Sequence, residues 1–245
     1  MQFQDIVAEY YTLYRGDNQI PTITDPEWAL AANYGNSAIR RWANVDGEEW
    51  DELWTDARTE GFSDTYQGTS AFPQITTYLC PDNMQRPGGF IQLTDPVSGA
   101  FLHVKVLEQR NIGLESGTAP YAYFTGDMNN GFTLNLNFTG NSNVGWTINW
   151  PMYKTPTYFN TTLNSDGSFN VLEDGTTITE VPDASFIINY ILAYRFRTSR
   201  NFPAYQTAKS DAETALKGMQ IKNGTGIALN TWNLNDSNKT GLFGK

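Results

Sequence analysis

The chain has 245 residues, of which 40% are hydrophobic and 17% charged, enough for one or two domains with a buried core. Aromatic residues at 14% argue against disorder, because such a chain buries enough apolar surface to offset its ordering entropy. Sixteen Lys plus Arg against 26 Asp plus Glu leave a net charge of -10, which disfavours non-specific binding to nucleic acid or anionic membranes and argues against a sequence-reading DNA binder.

Phe3, Ile6, Val7, Tyr10, Leu13 and Tyr14 recur at helical spacing, and Arg15-Gly16-Asp17-Asn18 supplies a stop, so the first helix is expected over 2–14. Asp25-Pro26-Glu27 reads as an N-cap, a proline at the first helical position and an acidic first turn. The second helix then carries Leu30, Ala31, Tyr34, Ala38, Ile39 and Trp42 on one face. Asn44-Val45-Asp46-Gly47 interrupts it, as a kink or before a short separate helix, and Trp50, Leu53, Trp54 and Ala57 restore helical spacing to about Thr59.

From about residue 62 to 180 the period changes to two, and Thr, Asn and Gly become frequent. Strands are expected at Ile75 to Leu79, Phe90 to Leu93, Phe101 to Val106 and Tyr121 to Thr125. The strictly alternating runs Phe132 to Phe138 and Trp146 to Trp150 read as an antiparallel hairpin. Two stretches, 111–119 and 155–177, read as long polar loops.

Helical spacing returns after Pro182-Asp183 with Phe186, Ile187, Ile191, Leu192 and Tyr194, ending in a basic turn of Arg195, Arg197 and Arg200. Asn201-Phe202-Pro203 opens a fourth helix carrying Tyr205, Ala208, Ala212, Ala215, Leu216 and Met219 to about Gln220. Residues 221–245 are rich in Asn and Gly, with Ile227, Leu229, Trp232, Leu234, Leu242 and Phe243 as spaced apolar points. The expected fold is therefore α+β: a four-helix bundle from 1–60 and 181–220, an inserted antiparallel β-domain over 61–180, and an extended C-terminal arm over 221–245 that binds a partner through those six apolar residues.

Charge is uneven along the chain, with nets of -8 over 1–60, -6 over 61–180 and +4 over 181–245. An acidic helical front and a basic helical back suit mutual packing, within one subunit or between neighbours, with Arg195, Arg197 and Arg200 as the inter-subunit charges. No catalytic, cofactor or metal site is expected. Cys80 and His103 are single, too few for a disulfide framework or a zinc site, and His103 reads as a strand residue opposite Leu102, Val104 and Val106. The acidic run Asp46 to Glu52 reads as a helix first turn rather than a catalytic pair, and Arg86-Pro87-Gly88-Gly89 lacks the Lys of a phosphate loop. No apolar run is long enough to span a membrane and no leader pattern opens the chain, so synthesis in the cytosol is expected. Trp146, Trp150, Tyr121 and Tyr123 offer a carbohydrate-stacking platform as an alternative to core packing.

The order of elements resembles the head-to-tail adaptor proteins of tailed bacteriophages. The similarity is carried by Asn36-Ser37-Ala38-Ile39-Arg40-Arg41-Trp42, the Trp50 to Trp54 segment, Tyr78-Leu79-Cys80-Pro81-Asp82, Trp150-Pro151-Met152-Tyr153, and Val181-Pro182-Asp183 leading into a long helix. The resemblance covers roughly 1–220 and implies a non-catalytic virion protein of the neck, present in the host cytoplasm during assembly. It implies a homo-oligomeric ring, typically of twelve copies, between portal protein and tail protein, with genomic DNA passing through the lumen without sequence-specific binding. An acidic balance suits such a lumen, because strong phosphate binding retards DNA passage. The alternatives are a carbohydrate- or receptor-binding β-module of a phage tail, and an acid-base hydrolase.

Overall fold

The computed structural model describes residues 1–16, 20–45, 48–56, 64–65, 75–108, 121–127, 130–137, 145–163, 169–171 and 173–239, with 224–239 described by backbone alone. The chain divides into two compact units, Met1–Glu52 with Pro156–Lys245, and Leu53–Thr155.

The first unit holds four helices: α1 (Phe3–Arg15), α2 (Pro26–Ala43), α3 (Ala184–Thr198) and α4 (Phe202–Lys239). Helix α1 stops at Gly16, whose φ of 73° is the left-handed C-cap conformation that a glycine adopts without steric cost. Helix α3 begins where Asp183 accepts a hydrogen bond from the Ser185 N–H.

These helices do not form the expected four-helix bundle. Helix α3 is a hub: α1, α2 and α4 each pack chiefly against it, while α1 and α2 meet only slightly. The cause lies in α3 itself, where Phe186, Ile187, Ile188, Ile191, Leu192 and Ala193 are all buried. At about 100° per residue those positions surround the helix instead of forming one stripe, so it takes neighbours on several sides.

The expected extended arm is also corrected, since the backbone of 221–239 is the second half of α4. Ala208, Ala212, Leu216, Met219 and Asn223 form a narrow buried stripe on α4. The Asn223 side chain, past the end of the apolar repeat, donates to Glu48 Oε2 (3.1 Å) and to the Glu49 carbonyl (3.0 Å). A helix already nucleated extends at little further cost.

The helical segment expected over 50–59 is not found in its described part, 50–56, and 57–59 lie outside the described residues. Asp51–Leu53 is a single 3₁₀ turn and Trp54–Asp56 is strand β1. Trp50 donates from Nε1 to the Trp42 carbonyl at 2.8 Å and its ring lies 5.1 Å from that of Trp42, so tertiary packing overrides the local spacing.

The return segment 156–183, expected in the β-domain, belongs to the helical unit. The Asn36 amide donates to the Phe159 carbonyl (2.9 Å) and its Oδ1 accepts from the Phe159 N–H (2.8 Å). Phe159 reaches α2 closely enough that a Cβ on Gly35 would sit 2.6 Å from its ring. Glu173 is fully buried. Its carboxylate accepts the backbone N–H groups of Asn160 (3.0 Å), Gly175 (2.9 Å) and Thr177 (3.3 Å), and its carbonyl accepts Trp28 Nε1 (3.0 Å). The same loop bonds the start of α1, through Phe3 N to Thr177 O and Gln4 N to Gly175 O. Strands β11 (Thr161–Leu163) and β12 (Phe169–Val171) pair antiparallel within this segment.

The second unit contains β1, β2 (Asp64–Thr65), β3 (Ile75–Leu79), β4 (Met84–Pro87), β5 (Phe90–Thr94), β6 (Phe101–Val106), β7 (Tyr121–Asp127), β8 (Gly131–Asn137), β9 (Thr147–Asn149) and β10 (Pro151–Lys154). They form a three-stranded sheet, β1-β10-β4, and a seven-stranded sheet, β2-β9-β5-β6-β7-β8-β3. The expected hairpin of 132–138 with 146–150 does not exist: β8 lies between β7 and β3, and β9 between β5 and β2. The sheet is also not wholly antiparallel, because β6 and β7 pair in parallel at Lys105 with Tyr121 and Val106 with Ala122. Alternation fixes which side chains face inward, and those include Ile91, Leu93, Val104, Leu134, Leu136 and Ile148, but it leaves the neighbouring strand open. Trp150, between β9 and β10, is fully buried in a core shared with Met84 and Met152 of the smaller sheet.

Two outcomes follow from this packing. Glu173→Gln sets an amide N–H against backbone donors and should cost roughly 1–3 kcal/mol, read as a melting temperature lower by about 2–4 °C per kcal/mol; an unchanged melt shows that the carboxylate does not hold the return segment. Burial pushes the Cys80 thiol up to about 12, so at pH 8 a thiol reagent should label it only after denaturation, and rapid stoichiometric labelling of the native protein contradicts this.

Candidate functional site

The basic turn at the end of α3 divides into an engaged residue and free ones. Arg195 donates from its guanidinium to Glu27 Oε1, and the Tyr10 hydroxyl donates to Glu27 Oε2 at 3.0 Å. The guanidinium lies 5.1 Å from the Tyr14 ring centroid, and Tyr14 stacks on Tyr10 at 6.1 Å. Burial, reinforced by the Glu27 carboxylate, holds the Tyr10 phenol well above its ordinary range. Arg195, expected to face a partner, thus pairs within its own chain. The front-to-back attraction is partly intramolecular at this pair, while a second bridge, Arg41 to Glu213 at 2.6 Å, joins α2 and α4 with the opposite polarity, a base of the front with an acid of the back.

Arg197 and Arg200 are exposed. Arg200 occupies the turn between α3 and α4 with φ of 58°, a left-handed conformation that costs a side chain roughly 1 kcal/mol. The backbone at Ile227, Leu229, Trp232 and Leu234 is helical. Their side chains, and Leu242 and Phe243 altogether, lie outside the described residues, as does the loop 111–119.

Between α2, α3 and α4 runs a groove that encloses about 250 Å³ at its deeper end and continues into an open stretch of about 520 Å³. The deeper end is lined by Arg41, Tyr190, Tyr194, Arg197, Tyr205 and Lys209. Lys217 adds a cation to the open stretch and Glu213 is the one carboxylate lining either part, so cations outnumber it four to one. Tyr194 stacks on Tyr34 at 4.8 Å and its hydroxyl lies 3.4 Å from that of Tyr190. Burial first, then the neighbouring Tyr194, raise the Tyr190 phenol, which keeps it a neutral donor at physiological pH. Chemically, the groove offers phenol donors, aromatic faces and positive charge, a combination suited to carboxylates on a partner surface.

Sequence reasoning named Arg197 as a partner-facing charge, but Arg41 only within the Asn36 to Trp42 motif and Tyr205 only on a helix face, and it passed over Tyr190 and Lys209. The signal was present as two pairs at i,i+4, Tyr190 with Tyr194 and Tyr205 with Lys209, each on one helix face. On the outer face of β5 and β6, Phe90 and Phe101 flank the exposed His103 at 4.9 and 5.2 Å. Of the aromatics named for a stacking platform, Trp150 is buried and Trp146 packs against the core. Among the described residues no group of three or more His, Cys, Asp or Glu is arranged to hold a metal ion, and no helix is long and apolar enough to cross a membrane.

The Arg195 and Glu27 side chains are 24% and 16% exposed, so the pair is only partly screened. Arg195→Gln and Glu27→Gln should each cost about 1–3 kcal/mol, and the double mutant clearly less than their sum. Strict additivity in that cycle shows no coupling.

No protein-family model matches the chain, and no curated protein matches it significantly.

Proposed function

We propose that this protein is a virion structural protein, a head-to-tail adaptor whose copies assemble as a ring between portal and tail and form part of the channel through which the genome leaves. The observation that carries the reading is the build of the chain: both ends contribute to one helical unit centred on α3, and Leu53–Thr155 is inserted as a separate β-unit. That order, with the Asn36 to Trp42 and Tyr78 to Asp82 elements inside it, is what resembles the adaptor family. The role is one of assembly and docking, with the second half of α4 as the portal- or tail-facing element and the acidic balance permitting DNA to slide past.

A second reading, a carbohydrate- or receptor-binding tail module, is favoured by the exposed aromatics Phe90 and Phe101 beside His103. A glycan-array signal lost on Phe101→Ala, together with a monomeric protein, favours that module over the adaptor.

Negative-stain microscopy of the purified chain at low salt should show closed rings. A truncation ending at Asn223 keeps the contacts of Asn223 to Glu48 and Glu49. It should fold with nearly unchanged melting temperature yet fail to join heads to tails. A chain that stays monomeric at every concentration, or a truncation that completes particles, is contrary to the proposal.

A further inference from the structure

The groove between α2, α3 and α4 has free cations, and the same unit carries free acids elsewhere. Among the described residues neither Arg197 nor Lys209 has a carboxylate partner, and both are exposed. Most acids of the helical unit are engaged: Glu27 and Glu213 in ion pairs, Glu173 by backbone N–H groups, Glu48 by Gln220 and Asn223, and Asp183 by Ser185. Asp51 and Glu52, adjacent on the 3₁₀ turn, are exposed and their carboxylates have no partner among the described residues. They border a hollow with Asp183, Met219 and Lys222, whose single cation leaves the patch acidic.

We infer that the cationic, tyrosine-lined groove of one copy receives the Asp51-Glu52 turn of the next copy. The inference rests on the ring reading above and assigns its subunit contact. Lys209 and the Met219–Asn223 stretch beside the acidic turn are separated by about 15–21 Å along α4 at 1.5 Å per residue, so Lys209 cannot pair with the acidic turn of its own chain. Two different complementary patches on one subunit make a heterologous contact, which propagates and closes into a ring when its rotation allows. The tyrosine hydroxyls supply neutral donors to the incoming carboxylates, while Arg197 and Lys209 supply charge and approach steering. The intramolecular Arg41 to Glu213 bridge braces the groove wall and is not part of the exchange.

The test uses the full chain at low salt, with assembly read by mass photometry and folding by circular dichroism. Wild type should form rings. Arg197→Glu with Lys209→Glu, and separately Asp51→Lys with Glu52→Lys, should each weaken association at least tenfold. Mixing the two folded variants should restore rings of alternating copies, because one contact then has the native charges and the other the reversed ones, and both are complementary. The milder Arg197→Gln with Lys209→Gln should weaken assembly to a lesser degree and flatten its salt dependence. Wild-type rings combined with either reversed variant assembling normally, or with a mixture that stays dissociated, overturn this contact while leaving the ring reading intact. A wild type that never assembles overturns both.

Discussion

A buried carboxylate and a buried amide hold the helical unit to the chain that returns from the β-unit. Among the described residues Glu173 has no cation partner; three backbone N–H groups bond its carboxyl oxygens, which satisfies a polar group buried in an apolar setting. Asn36 does the same for the Phe159 peptide with one donor and one acceptor. Around these bonds Phe3 packs on Trp28 at 5.0 Å and on Phe159 at 4.4 Å, so α1, α2 and the return segment share one aromatic contact. Without that seam α3 would lack the chain entry that sets its position, and the three helices packed on it would have no common support.

The hub arrangement changes the meaning of the charge imbalance. Eight net negative charges in the first 60 residues and four net positive ones after residue 180 suggest two surfaces in search of partners. Part of that potential is spent inside the subunit at Arg195 with Glu27, whereas Arg41 with Glu213 pairs a front base with a back acid and leaves the imbalance standing. What remains outside is smaller and more local: the Arg197 and Lys209 cations beside tyrosines, and the Asp51-Glu52 turn. Local patches of opposite sign are more specific in orientation than diffuse net charge.

The β-unit contributes a different kind of order. Its core draws on both sheets, with Trp150 fully buried where the chain passes from β9 to β10. Its outer face leaves Phe90, Phe101 and His103 in solvent.

Periodicity by itself determined α1, α2, α3 and the first half of α4, together with strands β3, β5, β6 and β7, because apolar spacing is a local signal, although it did not show that α3 is buried on several sides. It also marked Arg195, Arg197 and Arg200 as a basic helix end without distinguishing Arg195, which pairs within the chain, and it marked Cys80 and His103 as strand-region residues. Partner choice was beyond it. Whether β8 pairs with β9 or with β3 depends on loop paths and on core shape, and alternation is the same either way. The 50–59 segment has helical spacing, yet the Trp42 carbonyl captures Trp50 and the chain turns into β1. The groove needed three helices brought together, since Arg41 lies more than 140 residues from Tyr190 in the chain. Local sequence encodes which faces want burial; only the tertiary structure decides what buries them, because that choice is made by packing and by hydrogen bonds between distant residues.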